Sequence, residues 1–247
     1  MKIVVPFNMS PGGMHAMNFA WIFAASMVAL PTLIVPAGER EDAVVPVIEE
    51  QLGQNPGNFD YASSAAAKLL GINGEEVIFV SSESFETTQA EAPQGAHLFL
   101  TQGENGTRTF GEKPRIAVPF GDGESALESM RLALLLIKKM QAGEIVLMHT
   151  TYPNQEVASD DPREHMKEEA QILETRLLSL AREAGVRVET KVDMADDLVH
   201  FVIMTAIECE CTFIIVAEGS PLAGGYAEQI AVQANLPVLV IRKEVVS

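Results

Sequence analysis

Two stretches of the chain carry one pattern: a short apolar run, a Gly-bearing turn, a long segment with apolar residues at helical spacing, and a second apolar run. Lys2–Pro36 (KIVVPFNMSPGGMHAMNFAWIFAASMVALPTLIVP) lies over Arg115–His149 (RIAVPFGDGESALESMRLALLLIKKMQAGEIVLMH) without a gap, and eight of 35 positions are identical. The shared residues are Ile3/Ile116, Val5/Val118, Pro6/Pro119, Phe7/Phe120, Met17/Met130, Ala20/Ala133, Met27/Met140 and Ala29/Ala142. Each copy predicts strand, turn, helix and strand, which is a βαβ unit. The chain is therefore read as two related α/β halves, residues 1–110 and 111–247, a common domain size. The polar stretch from Gly103 to Pro114 marks the boundary.

The second half is the clearer copy. Arg115–Phe120 and Glu144–His149 read as buried strands around a helix over Glu124–Gln141, whose stripe is Leu127, Met130, Leu134, Ile137 and Met140. A polar loop leads to a helix over Arg163–Ala184 with Met166, Ala170, Leu173, Leu177 and Leu180 inward, and Gly185 stops it. Val186–Val192 alternates as a strand, Ala195–Glu208 is helical, Thr212–Ala217 is a buried strand, and Tyr226–Ala234 and Pro237–Ile241 are a final helix and strand. Such alternation means a mainly parallel sheet with helices on both faces.

The first half opens alike and then loses the pattern. Glu41–Gln54 and Phe59–Leu70 read as helices, with no convincing strand between them, and Val77–Val80 and His97–Leu100 read as strands. Its first helix, Met14–Ala29, is apolar nearly all round, so it must be buried on more than one side, either between the halves or against a second chain.

Charge narrows the function. Seventeen basic against 34 acidic residues give a formal charge of −17, which disfavours nucleic acid and acidic membrane surfaces. Residues 3–38 hold no Asp, Glu, Lys or Arg, and Ala16–Ala37 is long enough on paper to cross a bilayer. Pro31 and Pro36 cut that run, and the MSPGG turn precedes it, so neither a membrane span nor a signal peptide is expected. Two cysteines cannot build a disulfide framework and fit a reducing, cytoplasmic setting. Cys209-Glu210-Cys211 makes a poor zinc site and reads as small buried hydrophobes, and neither His165 nor His200 has metal-ligand spacing to another histidine. No G-x-S-x-G, Walker lysine loop or H-E-x-x-H is present, so catalysis is not expected. Ser10 reads as a helix N-cap, and Asp160-Asp161 and Asp196-Asp197 as acids favouring helix starts.

The second half resembles the universal stress protein family. The residues that carry this are VPFGDGESALESMRLALLLIKK (Val118–Lys139), EIVLMHTTYP (Glu144–Pro153), AREAGVRVET (Ala181–Thr190) and IIVAEGS with LPVLVIR, ending at Arg242. Over residues 1–101 the likeness is weaker, and the whole resembles a tandem member with a degenerate first copy. The resemblance implies two open, Rossmann-like halves of the adenine nucleotide alpha hydrolase type. It also implies pairing of last strands across a two-fold, either in a homodimer or inside one chain, with His97–Leu100 meeting Val238–Ile241.

Many family members bind ATP at the carboxyl ends of the strands, where glycine turns let amides close on phosphate. By that resemblance the ligand-binding candidates are Phe120, Gly121, Asp122, His149, Val192, Gly219, Ser220, Gly224, Gly225 and Tyr226. The sequence departs from the family pattern. The family's Val-Asp-Gly-Ser is here Phe120-Gly121-Asp122-Gly123, which displaces the carboxylate by one residue, and Asn8 stands at that position in the first half. The glycine loop is shortened to GSPLAGGYAEQ, and Tyr226 stands where a phosphate-binding hydroxyl is expected. Val192-Asp193-Met194 replaces Gly-Asp-Pro, and no Lys or Arg lies between Glu218 and Pro237. The expectation is a non-catalytic stress-response binding module without a cofactor; the alternative is an ATP- or AMP-binding switch with slow ATPase activity.

Overall fold

The computed structural model describes residues 1–35, 41–51, 59–63, 66, 76–101, 113–120, 123–151, 162–195, 197–218 and 226–242. The first half contributes β1 (Lys2–Pro6), α1 (Pro11–Ser26), β2 (Thr32–Val35), α2 (Glu41–Gln51), β3 (Asp60–Ser63), β4 (Val77–Ser81), α3 (Phe85–Glu91) and β5 (His97–Leu100). The second contributes β6 (Arg115–Pro119), α4 (Gly123–Met140), β7 (Glu144–Thr151), α5 (Pro162–Glu183), β8 (Arg187–Met194), α6 (Leu198–Glu208), β9 (Phe213–Ala217), α7 (Tyr226–Gln233) and β10 (Val238–Ile241). The strands form one ten-stranded sheet, ordered β3-β2-β1-β4-β5-β10-β9-β6-β7-β8. Read outward from the middle, both halves have the same strand order. Neighbours are parallel everywhere except β5 and β10, which pair antiparallel as Leu98 with Val240, Phe99 with Leu239 and Leu100 with Val238.

Alternation along the strands splits the core in two. Phe99, Ile116, Val118, Phe213, Ile215 and Leu239 face one side, under α1, α2, α4 and α5. Leu98, Leu100, Ala117, Ile214, Val216 and Val238 face the other, under α3, α6 and α7. At the amino ends of the strands, Arg115 donates to the Cys209 carbonyl that ends α6 and pairs with Glu189, while Glu144 takes Arg187 at 3.1 Å.

α1 binds the two halves. Its Phe19 and Phe23 rings meet Phe99 of β5 edge-on at 4.9 and 5.0 Å, and Phe23 meets Phe213 of β9 at 6.2 Å. Phe99 and Phe213 lie 5.3 Å apart. The side of α1 that carries Phe19 and Phe23 is thus buried by both halves of its own chain, while Met14, Asn18, Trp21 and Ile22 are half-buried and Ala25 is exposed. Among the described residues, no helix is long and apolar enough to cross a membrane.

Local rules explain the helix ends. Ser10 caps α1, its Oγ accepting from the Gly13 N–H at 3.0 Å, and Pro11 follows at a position that needs no donor. Asp197 caps α6 in the same way, accepting from the His200 N–H at 3.0 Å. α1 closes through Val28, whose φ of 54° is left-handed. The repeat sets Val28 over Gln141, also left-handed at 57°. A β-branched residue is strained there.

One expectation is corrected, and one helix was not expected. Residues 60–63 (DYAS), assigned to a helix over Phe59–Leu70, form the edge strand β3, in register with β2 from Thr32–Asp60 to Val35–Ser63. Four residues are too few to display a period, and backbone pairing to β2 decides the state; residues 64–65 and 67–70 of that range lie outside the described residues. The helix α3 had no sequence signal, because only Phe85 and Thr88 of its seven residues are buried.

Val28→Gly is expected to raise stability by about 1 kcal/mol in chemical denaturation, since Val28 is 89% exposed and little packing is lost. Phe99→Ala should cost about 3–5 kcal/mol in the same assay, by opening a cavity at the seam.

Candidate functional site

In the second half the chain leaves β6 toward β7 on one side and returns through β9 on the other. This reversal opens a crevice at the carboxyl ends of β6 and β9, where open α/β sheets take ligands. Phe120 sits there, directly after β6. Its N–H donates to the Met148 carbonyl at 2.9 Å, and its own carbonyl accepts from His149 Nδ1 at 3.0 Å. The two rings stack at 4.8 Å and 19°. A carbonyl can only accept, so Nδ1 carries the proton, and Nε2 is the acceptor in the neutral ring.

β7 and β8 run past the end of β6. Pro119 pairs with Met148, yet the ladder continues through His149–Val192, Thr150–Asp193 and Thr151–Met194. Val192 on this overhang is 57% exposed. Beyond β9, Glu218 donates its N–H to the Ile241 carbonyl at 2.8 Å, and its carboxylate lies 4.0 Å from Arg242 Nε. Burial pushes the Glu218 carboxyl up, and Arg242 pulls it partly back.

Of the sequence candidates, Phe120 and His149 are brought together at the end of β6, and Val192 lies beside His149 in register on the edge strand β8. Tyr226 opens α7 and packs with the cluster on the opposite face of the sheet from Phe120. Gly121, Asp122, Gly219, Ser220, Gly224 and Gly225 lie outside the described residues. Sequence reasoning missed the Glu218–Arg242 pair as a unit, although the sequence showed an acid after β9 and a cation after β10. Among the described residues, no three His, Cys, Asp or Glu gather as metal ligands.

At the corresponding place in the first half, the ends of β1 and β4, side chains bond to one another. Asn8 donates from Nδ2 to Glu83 at 3.3 Å and accepts at Oδ1 from the Ser10 N–H at 2.9 Å. Ser10 Oγ takes the Gly13 N–H, so two amides at the start of α1 are already engaged. Pro11 has none to offer. The packing is also tight: a Cβ on Gly12 would lie 2.8 Å from Ser82 Oγ, and one on Gly13 would lie 2.5 Å from the Asn8 carbonyl oxygen.

No protein-family model matches this sequence, and no curated protein does. Solved structures do match the fold. A universal stress protein from Archaeoglobus fulgidus DSM 4304 superposes with a TM-score of 0.61 at 11% identity, over 98% of each chain. The fold is that of a universal stress protein. A functionally unknown protein from Pseudomonas aeruginosa PAO1 also superposes with a TM-score of 0.61 at 11% identity, over 98% of this chain and 92% of its own. A shorter universal stress protein family member from Burkholderia pseudomallei covers 53% of this chain and 97% of its own, at 19% identity and a TM-score of 0.45. Within the universal stress protein fold, this chain closes one strand-end crevice with Asn8 and Glu83 and sets an acid, Glu218, beside the other.

Gly13→Ala is expected to destabilise the first half by about 1–3 kcal/mol, because the Asn8 backbone cannot yield as a flexible side chain would. Denaturation monitored at Trp21, the single tryptophan, which lies on α1, checks this.

Proposed function

We propose that this chain is a tandem universal stress protein that binds and signals rather than catalyses. Residues 1–110 are the degenerate copy, and residues 111–247 keep the ligand crevice. The reading is supported by the unequal strand ends. One crevice is occupied by Asn8, Ser10 and Glu83. The other has its rim cation, Arg242, turned toward Glu218. A triphosphate brought to that rim meets a carboxylate and a cation already in use, so ATP is not the ligand in the usual way. The antiparallel β5–β10 pairing supports a pseudo-dimer within one chain, to which further copies add by two-fold contacts. Cys209 and Cys211, buried and outside any disulfide, fit a cytoplasmic setting.

The stacked Phe120 and His149 rings favour one second reading, an AMP-type ligand whose flat base lies against them. That reading makes the chain a nucleotide switch.

Calorimetric titration with Mg-ATP is expected to give no saturable binding below about 1 mM. A low-micromolar affinity would overturn the leading reading. A thermal shift with AMP that disappears in Phe120→Ala would decide for the switch.

A further inference from the structure

Phe99 centres the seam between the halves, and a histidine stands at each end of it. His97 lies two residues before Phe99 on β5, so both side chains leave the same face of the sheet. His15 lies one turn before Phe19 on α1, on the stripe that carries Phe19 and Phe23. β5 runs in the direction of β1 through β4, and α1 returns against it. His97 therefore flanks the Phe23 end of the aromatic cluster, and His15 the Phe19 end.

Each ring has one nitrogen shut off from water and, among the described residues, without a hydrogen-bond partner, Nδ1 of His97 and Nε2 of His15. A neutral ring leaves there only an unused acceptor. A protonated ring places a charged donor in an apolar seam, which is far more costly.

The surroundings offset that charge only in part. Around His97 stand Glu76, before β4, and Arg242, after β10; Arg242 is itself paired with Glu218, after β9. Burial holds the His97 imidazole below its ordinary value, opposed by Glu76 and reinforced by Arg242. α1 has no titratable residue besides His15. The charges on the strands beneath it are Lys2, at the start of β1, and Glu83, held by Asn8 just past β4. Burial alone holds His15 low.

The sign follows. A histidine held neutral by the fold contributes its full stability above the ordinary value of 6.5, and that stability is lost as the pH falls below it. We propose that the seam is an acid-sensitive hinge: protonation of His97 and His15 opens the contact among α1, β5 and β10 and frees the first half from the second. The chain then reads a fall in pH as separation of its halves, without any ligand.

Amide hydrogen exchange tests this, corrected for the intrinsic pH dependence of exchange and followed from pH 7.5 to 5.5. Protection of β5 and β10 should fall relative to β6 and β7 in the same molecule, by at most about tenfold for each histidine. His97→Gln and His15→Gln should each remove their share, and the double variant should hold a constant ratio. A wild-type ratio that does not change, or a double variant that follows the wild type, would overturn the hinge. Should a variant fail to fold, NMR titration of both imidazoles in the wild-type chain decides. Values below 6.5 for both support the hinge, and either ring titrating at or above 6.5 sinks it.

Discussion

Leu98, Phe99 and Leu100 meet Val240, Leu239 and Val238 along the one antiparallel line of an otherwise parallel sheet. Two five-stranded sheets would each end there in a bare edge, with unpaired amides and carbonyls inviting foreign strands. Joining the edges removes that hazard and makes one sheet of ten. Backbone pairing alone does not select this partner. The selection comes from Phe99, which is gripped by Phe19 and Phe23 of one helix and by Phe213 from the opposite half. This contact accounts for the apolar side of α1 that carries Phe19 and Phe23, while Met14, Asn18, Trp21, Ile22 and Ala25 line a side that is less buried.

The two halves share a scaffold and differ where strands end. In the first, Asn8 bonds to Glu83 and to the Ser10 N–H, and Ser10 Oγ takes an amide at the start of α1. In the second, stacked rings and a long two-stranded wall stand beside an acid–cation pair. The shared strand order gives two corresponding sets of strand ends, and a few side chains make them unequal.

Much of the fold was legible because the repeat is gapless. Pro6 over Pro119 and Phe7 over Phe120 place both strand ends, and the helix stripe from Leu127 to Met140 needs no tertiary information. Short elements were not legible. DYAS has a strand's state through pairing with β2, and FETTQAE has a helix's state through its Ser84 cap and two buried residues. Of the site, the positions of Phe120 and His149 could be read, but the bond between them could not. The same holds for Asn8 with Glu83, which lie 75 residues apart, and for Glu218 with Arg242. Such pairs exist only once the sheet has brought the strand ends together.

The seam also carries a consequence for how the molecule is made. β5 is complete at Leu100, while its partner begins at Val238, and the whole second half is synthesised between them. At ribosomal speeds this leaves the β5 edge waiting for about ten seconds or more. During that interval the nascent first half presents Phe99 and an open ladder of backbone groups to the cell. Its safekeeping then falls to chaperones or to the crowding of the exit site, until the closing strand arrives.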